Sequence, residues 1–406
     1  MKSSDNAVAQ MLSFNTVSNP SCQRRSIDVR IKKADLDFKM IREKKLRGLI
    51  LTGFLLFGIC ACEKNLTEEK QQDIWEYSTP AEQQMNSAIL DSAFIQAESA
   101  SFIDGLLVIR NGYIVAENYY NGYSKSKPHN VMSVSKSFLS ATVGIAFQLG
   151  YLDSLEEKVM DYFPEYVYLN MDSRKYDITI RHLLTMRMGI IDESENNYGA
   201  YWQFYNSNNW IKTTIEAPLI FNPGEKMRYN TFQTHLLSAI ITKATQQSTR
   251  KFMTKYLCEP LGIDIGEWER DPQGYYFGGN SMHFTPQEMA MLGFLYLNKG
   301  KIDNVQIVSE DWVDLTLTAS TNIAVPSVWG ALKNYNYAWL WWLGQINDHD
   351  LFMAYGYGGQ FVIVFPDLEL IVVSTATNNV DPDMSTVQEW TIFDIISQYI
   401  LPSITS

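Results

Sequence analysis

Two segments near opposite ends of the chain read as β-hairpins, and they restrict the fold more than any other feature. Leu106-Leu107-Val108-Ile109 and Tyr113-Ile114-Val115-Ala116 flank Asn111-Gly112, the strongest short-range signal for a two-residue turn. Far downstream, Phe361-Val362-Ile363-Val364-Phe365 and the run from Leu368 to Ser374 flank Pro366-Asp367. Between them, Phe138 to Leu149 (FLSATVGIAFQL) is apolar nearly all round, the mark of a helix buried on every side. Residues 150 to about 270 carry helical spacing, as in His182-Leu183-Leu184, Leu236-Leu237 and Ile240-Ile241. Met289 to Gly300 and Val387 to Ile400 read as further helices. Sheet material at both ends with helices between predicts an α+β fold. The N- and C-terminal segments should pair into one antiparallel sheet with flanking helices, beside a mainly helical lobe, leaving a cleft where a site belongs.

Charge divides the chain differently. Residues 1 to 62 hold 11 Lys+Arg against 5 Asp+Glu, a balance of +6 in a chain whose net charge is -12, which leaves -18 on the other 344 residues. So acidic a body excludes a nucleic-acid partner, because phosphate binding needs a basic face. Arg42, Lys44, Lys45 and Arg47 precede 15 uncharged residues, Gly48 to Cys62, too short to span a membrane but suited to the apolar region of a secretory signal. The stretch ends Ile59-Cys60-Ala61-Cys62, which resembles a bacterial lipoprotein box with Cys62 as the lipidated residue. A signal belongs at an N-terminus, so Met40 is expected as the true start, with residues 1–39 belonging to a start codon placed too early. A genuine basic extension before a signal anchor is the other reading. Residues 40–61 would then be a removed signal peptide, 62–75 a polar tether, and 76–406 the folded domain. The expected location is the bacterial cell envelope, lipid-anchored and facing the periplasm or the outer membrane. Cys22, Cys60, Cys62 and Cys258 are too few and too badly spaced for a disulfide scaffold or a zinc site, and neither a metal nor a cofactor is expected.

The chain lacks a Gly-x-Ser-x-Gly elbow, a His-Glu-x-x-His pair and a phosphate-binding glycine loop. It does contain Ser-x-x-Lys three times, at Ser124/Lys127, Ser133/Lys136 and Ser248/Lys251. One helical turn puts both side chains on one face, and a helix N-terminus favours negative charge on an attacking oxygen. Only Ser133 opens the buried apolar helix, where Lys136 would sit poorly solvated, able to lose its proton and act as a base. Taken alone, Ser133 is equally a helix-capping serine. A second segment, Pro223-Gly224-Glu225-Lys226-Met227-Arg228-Tyr229-Asn230-Thr231, leads into another helix, with Tyr229 at its entrance as a packing or a chemical residue. A third, Tyr355-Gly356-Tyr357-Gly358-Gly359-Gln360, opens a strand; its glycines either admit a substrate to the backbone or make a tight turn. Trp339, Trp341 and Trp342 alternate like a strand and would wall an acyl pocket or fill the core.

In this order the three segments resemble the serine β-lactamase and penicillin-binding protein superfamily, most closely the class C-like β-lactamase-related serine hydrolases, which include esterases and 6-aminohexanoate-dimer hydrolases. The resemblance runs from about residue 85 to 400 and extends to Ile178-Thr179-Ile180-Arg181-His182-Leu183-Leu184-Thr185 and to Gly278-Gly279-Asn280. It implies a β-lactamase/transpeptidase-like fold, Ser133 as acylated nucleophile, Lys136 as its proton acceptor and Tyr229 as the acid and base that serves leaving group and water. It also implies an oxyanion hole from the backbone N–H groups of Ser133 and Gln360, and substrate contacts from Tyr357, Gly358, Gly359 and Thr231.

Three departures qualify what the resemblance implies. Thr231 replaces the asparagine of the family's Tyr-x-Asn. Tyr357 replaces the lysine of Lys-Thr-Gly and offers no cation to a substrate carboxylate. Met186 stands where many relatives have histidine, and His182, without an evident acidic partner, reads as structural. The expectation is a serine hydrolase cleaving a small-molecule or short-peptide ester or amide through an acyl-enzyme. The rivals are a cell-wall D-peptidase or β-lactamase, and a catalytically silent lipoprotein that binds a partner.

Overall fold

The computed structural model describes residues 74–320 and 328–405. The expected start at Met40 with residues 1–39 before it, the expected signal stretch 40–61, Cys62 and the expected tether up to residue 73 lie outside the described residues. Trp75 belongs to the folded body, being 5% exposed with its indole N–H donating to the Gln287 carbonyl at 3.0 Å.

Among the described residues nine strands make the main sheet: β1 (Glu76–Tyr77), β2 (Ile103–Arg110), β3 (Tyr113–Tyr119), β4 (Val328–Trp329), β5 (Leu332–Tyr337), β6 (Trp342–Ile346), β7 (His349–Gly356), β8 (Gln360–Phe365) and β9 (Leu370–Ala376). Their spatial order is β1-β3-β2-β9-β8-β7-β6-β5-β4. Both expected hairpins form. Asn111 (φ 51°) and Gly112 (φ 82°) turn β2 into β3 with two consecutive left-handed residues, a conformation glycine and asparagine accept at low cost. The two ends of the chain meet where β2 lies antiparallel to β9, from Arg110 opposite Leu370 to Ile103 opposite Ala376. One pair departs from the antiparallel expectation: β1 runs parallel to β3 at the sheet edge, through only two residues.

The central strands β2, β8 and β9 are buried on both faces, which explains why they read as continuous apolar runs. Leu106 and Val108 face a core with α1 (Ser87–Ser99), while Leu107 and Ile109 face the opposite core with α2 (Ser135–Gln148), α3 (Thr231–Thr245) and α4 (Pro286–Leu297). On α2 every residue from Ser135 to Ala146 is buried. Phe138 stacks on Phe284 at 4.3 Å between centroids, and a fully buried phenylalanine contributes about 1.5–3 kcal/mol. The serines of this apolar helix are used: Ser137 and Ser140 hydroxyls donate to the carbonyls of Leu340 (2.8 Å) and Trp339 (2.9 Å).

That anchoring corrects the reading of Trp339 to Trp342 as a strand. Ala338 N–H bonds the Trp341 carbonyl at 2.9 Å around Leu340, whose φ is +66°, so the segment is a turn and β6 begins only at Trp342. Two helices begin earlier than expected. The helix placed at Met289 starts at Pro286 behind a Thr285/Glu288 capping box, and the one placed at Val387 is α5 (Pro382–Ile395), capped by Asp381. The region from 150 to 270 is helical as expected, although much of it is short turns.

Candidate active site

Ser133 lies in a 3-10 turn, Met132–Val134, immediately before α2. Met132 has a φ of +50°, a conformation that costs a non-glycine residue about 1–2 kcal/mol. The neighbouring structure holds it there: Asn130 Oδ1 accepts the Met132 N–H at 3.0 Å, and Val131 N–H donates to the Met282 carbonyl at 2.9 Å. Behind them the buried His129 and Asp104 side chains pair at 2.9 Å. The outcome is a serine half-exposed at the mouth of a helix whose next residues are sealed from water.

Lys136 is 2% exposed, and its Nζ donates to Ser133 Oγ (2.8 Å), Thr231 Oγ1 (3.0 Å) and the Gly279 carbonyl (2.7 Å). Burial lowers its pKa to about 8, and the nearby Glu193 carboxylate opposes that fall. The two acceptors distant in sequence, Thr231 and Gly279, are set by tertiary structure. A Cβ at Gly279 would lie 2.4 Å from Thr234 Oγ1 and 2.6 Å from Thr231 Cγ2, so only glycine lets that carbonyl reach the amine. The adjacent Gly278 N–H donates to His235 Nδ1 (3.3 Å), and His235 Nε2 pairs with Asp271 at 3.0 Å, with His235 and Asp271 side chains fully buried. Accepting at Nδ1 puts the imidazole proton on Nε2, facing Asp271.

Tyr229 closes the other side, its ring centroid 4.9 Å from Lys136 Nζ. Burial pushes its hydroxyl well above the ordinary tyrosine range and the Glu193 charge adds to that, while a hydrogen bond with Ser133 works in the opposite sense. Tyr229, Asn230 and Thr231 are clamped by Ile191-Asp192-Glu193. Tyr229 N–H donates to Asp192 Oδ2 (2.9 Å), Asn230 Nδ2 to the Ile191 carbonyl (3.0 Å) and Thr231 N–H to Glu193 Oε2 (2.5 Å), while Glu193 N–H donates to the Tyr229 carbonyl (2.9 Å).

The third segment is the turn between β7 and β8. Gln360 pairs with Gly356 across that turn, and its side chain is consumed by Ala376 on β9, donating to the carbonyl at 2.7 Å and accepting the N–H at 3.1 Å. Only its backbone is left to face a substrate. Gly358 N–H donates to Ser385 Oγ (3.0 Å) and to Glu389 Oε1 (3.2 Å), Ser374 Oγ donates to the Gly359 carbonyl (2.9 Å), and Tyr357 hydroxyl to the Val380 carbonyl (3.0 Å). Glu389 on α5, its carboxyl raised by burial, therefore anchors this turn from below.

These segments surround a cavity of about 430 Å³ that Ser133, Thr231 and Tyr357 line together with Glu193, Tyr198, Tyr201, Trp202 and Asn280. Tyr198 contacts Tyr357 edge to face at 6.3 Å. Among the described residues, Glu193 is the one charged residue lining it, and no lysine or arginine does so. Trp339 and Trp341 pack in the core, while Trp342 lies 6.2 Å from the Tyr229 ring. His182 is structural: its Nδ1 accepts Thr179 N–H at 3.2 Å and caps a short helix, Ile180–Leu184. Glu193, His235, Asp271 and Glu389 escape sequence reasoning, since single buried polar residues leave no periodic or spaced signal. Among the described residues, no cluster of His, Cys, Asp and Glu is arranged to hold a metal ion, and no helix is long and apolar enough to cross a membrane.

The beta-lactamase family model matches residues 95–395. A 6-aminohexanoate-dimer hydrolase of Paenarthrobacter ureafaciens is 23% identical over 296 residues, covering 69% of this chain and 74% of its own. Among solved structures, EstCE1, described as a hydrolase with promiscuous acyltransferase activity, superposes with a TM-score of 0.61 at 18% identity over 78% of this chain and 98% of its own. An octameric penicillin-binding protein homologue from Pyrococcus abyssi gives 0.58 at 18% identity over 79% of this chain and 78% of its own.

Proposed function

The chain belongs to the beta-lactamase family, and on that premise we propose that it is a serine hydrolase that cleaves an ester or amide through a covalent acyl-enzyme at Ser133. The observation that carries this reading is the 2.8 Å contact between a sealed lysine amine and a half-exposed serine hydroxyl. Neutral Lys136 takes the proton from Ser133 Oγ as that oxygen bonds the substrate carbonyl carbon. The carbonyl oxygen becomes an oxyanion, received by the backbone N–H groups of Ser133 and Gln360, each donor worth about 3 kcal/mol. Collapse expels the alcohol or amine, which leaves with a proton relayed through Tyr229. Water then enters, gives its proton to the same relay, attacks the ester carbon and releases Ser133 with the acid product.

The cavity suits a neutral acyl group, since Tyr198, Tyr201, Trp202 and Tyr357 wall it and no cation among the described residues lines it. On the sequence alone we further propose that Cys62 carries a lipid anchor. A fluorophosphonate probe should label the wild-type chain at Ser133 and fail to label Ser133→Ala; labelling that persists in the variant removes the assignment. The unlabelled wild-type enzyme should turn over p-nitrophenyl butyrate in preference to nitrocefin, and efficient nitrocefin hydrolysis would contradict the neutral pocket.

A further inference from the structure

Lys136 sits opposite a second buried charge that the acyl-transfer chemistry above does not use. Glu193 is 8% exposed, lines the cavity, and accepts the N–H of Thr231, the residue whose hydroxyl accepts from Lys136 Nζ at 3.0 Å. Its own backbone N–H holds the Tyr229 carbonyl. One residue therefore touches the segment carrying Tyr229 twice and stands one hydroxyl away from the amine.

We propose that Glu193 is the positioning residue of this site, a fixed carboxylate that holds the Tyr229–Thr231 segment in place and balances the ammonium that Lys136 becomes when it takes the Ser133 proton. The inference rests on the acyl-enzyme reading and adds to it a charge partner for its base. When the Oγ–H bond breaks and the N–H bond forms, a cation appears in a space shut off from water. Burial alone makes that cation costly, and an opposite charge close by offsets the cost. The carboxylate of a Ser-His-Asp site stabilises its imidazolium in the same way. The groups facing this pair are Asp192 beside it, Tyr198 and Tyr201 from the segment that follows, Tyr229 at the entrance to α3, and Tyr337 on β5. Lys136 is the cation among them, and burial drives Glu193 upward while that cation and the Thr231 N–H pull it back.

The test follows the lysine directly and needs no turnover. In the full-length chain with labelled lysine side chains, the NMR signal missing from Lys136→Ala is that of Lys136, and it should titrate near about 8. In Glu193→Gln the midpoint should fall by about one unit or more, because an opposite charge at close range is worth about 1–3 units. Glu193→Asp, which keeps the charge, should restore it to within about half a unit while labelling of Ser133 by the fluorophosphonate stays slowed through the stretched clamp. A midpoint that does not move in Glu193→Gln overturns the inference. Should that variant fail to fold, the labelled Glu193 carboxyl carbon of the unmodified protein decides: its signal should shift through the same pH range as Lys136, and a flat response overturns the inference equally. Failure of wild type to label at Ser133 would sink the acyl-enzyme reading and leave the titration result standing.

Discussion

At residues 133–136 and again at 248–251 the chain places a serine one helical turn before a lysine, and the two copies end in opposite surroundings. Ser248 is an N-cap: its hydroxyl accepts the Lys251 backbone N–H at 3.3 Å, and the Lys251 side chain is exposed. Ser133 makes no such cap, because the strained Met132 lifts it out of the helix, and its lysine amine turns inward to three acceptors. At 248–251 the serine serves the backbone; at 133–136 the backbone serves the serine. Spacing brings a hydroxyl and an amine to one face, but only burial makes the amine a base at a useful pH.

This contrast can be broken most forcefully at the lysines. Lys136→Ala should slow fluorophosphonate labelling by about 10²–10⁴-fold, the span typical of a lost acid–base group, while Lys251→Ala leaves the rate unchanged. Equal rates in the two variants would erase the distinction. A smaller effect comes from pH. An amine must be neutral to accept a proton, so the labelling rate should rise as pH climbs through about 8, where Lys136 gives up its charge, and level off above it. A flat profile from pH 6 to 10 would place the base elsewhere. The smallest effect is expected at the capping copy: Ser248→Ala should cost about 1 kcal/mol of stability in a denaturant titration and leave labelling untouched.

Much of this site was legible in the chain. The order of Ser133/Lys136, Tyr229 and the Tyr357 glycines marks the family, and the all-round apolar run after Ser133 separates the buried copy from the exposed ones. The sheet was legible because alternate strand residues feed two cores and so appear as unbroken apolar stretches. The start of α5 was also available, in Asp381 and Pro382, although the apolar pattern further along drew the boundary to Val387. Glu193, Asp271 and Glu389 were not legible. Each acts on a residue far from it in sequence, Thr231, His235 and Gly358 respectively, so the fold alone makes them partners. The turn at Leu340 was hidden for the same reason, being pinned by serines on a helix two hundred residues earlier.

The pairing of β2 with β9 sets a timetable for the chain as it is made. The inner edge of the first hairpin, Leu106 to Arg110, finds its partner only in Leu370 to Ser374. At a synthesis rate of about 5–20 residues per second, that edge waits roughly 15–50 seconds for residues that do not yet exist. During the wait an apolar strand with unsatisfied N–H and C=O groups is open to any other strand, the situation in which chains pair with the wrong neighbour. A product that stops short of residue 370 never leaves it, so messages cut before that point should give insoluble protein, and the last strand to be made is the one on which the first hairpin depends.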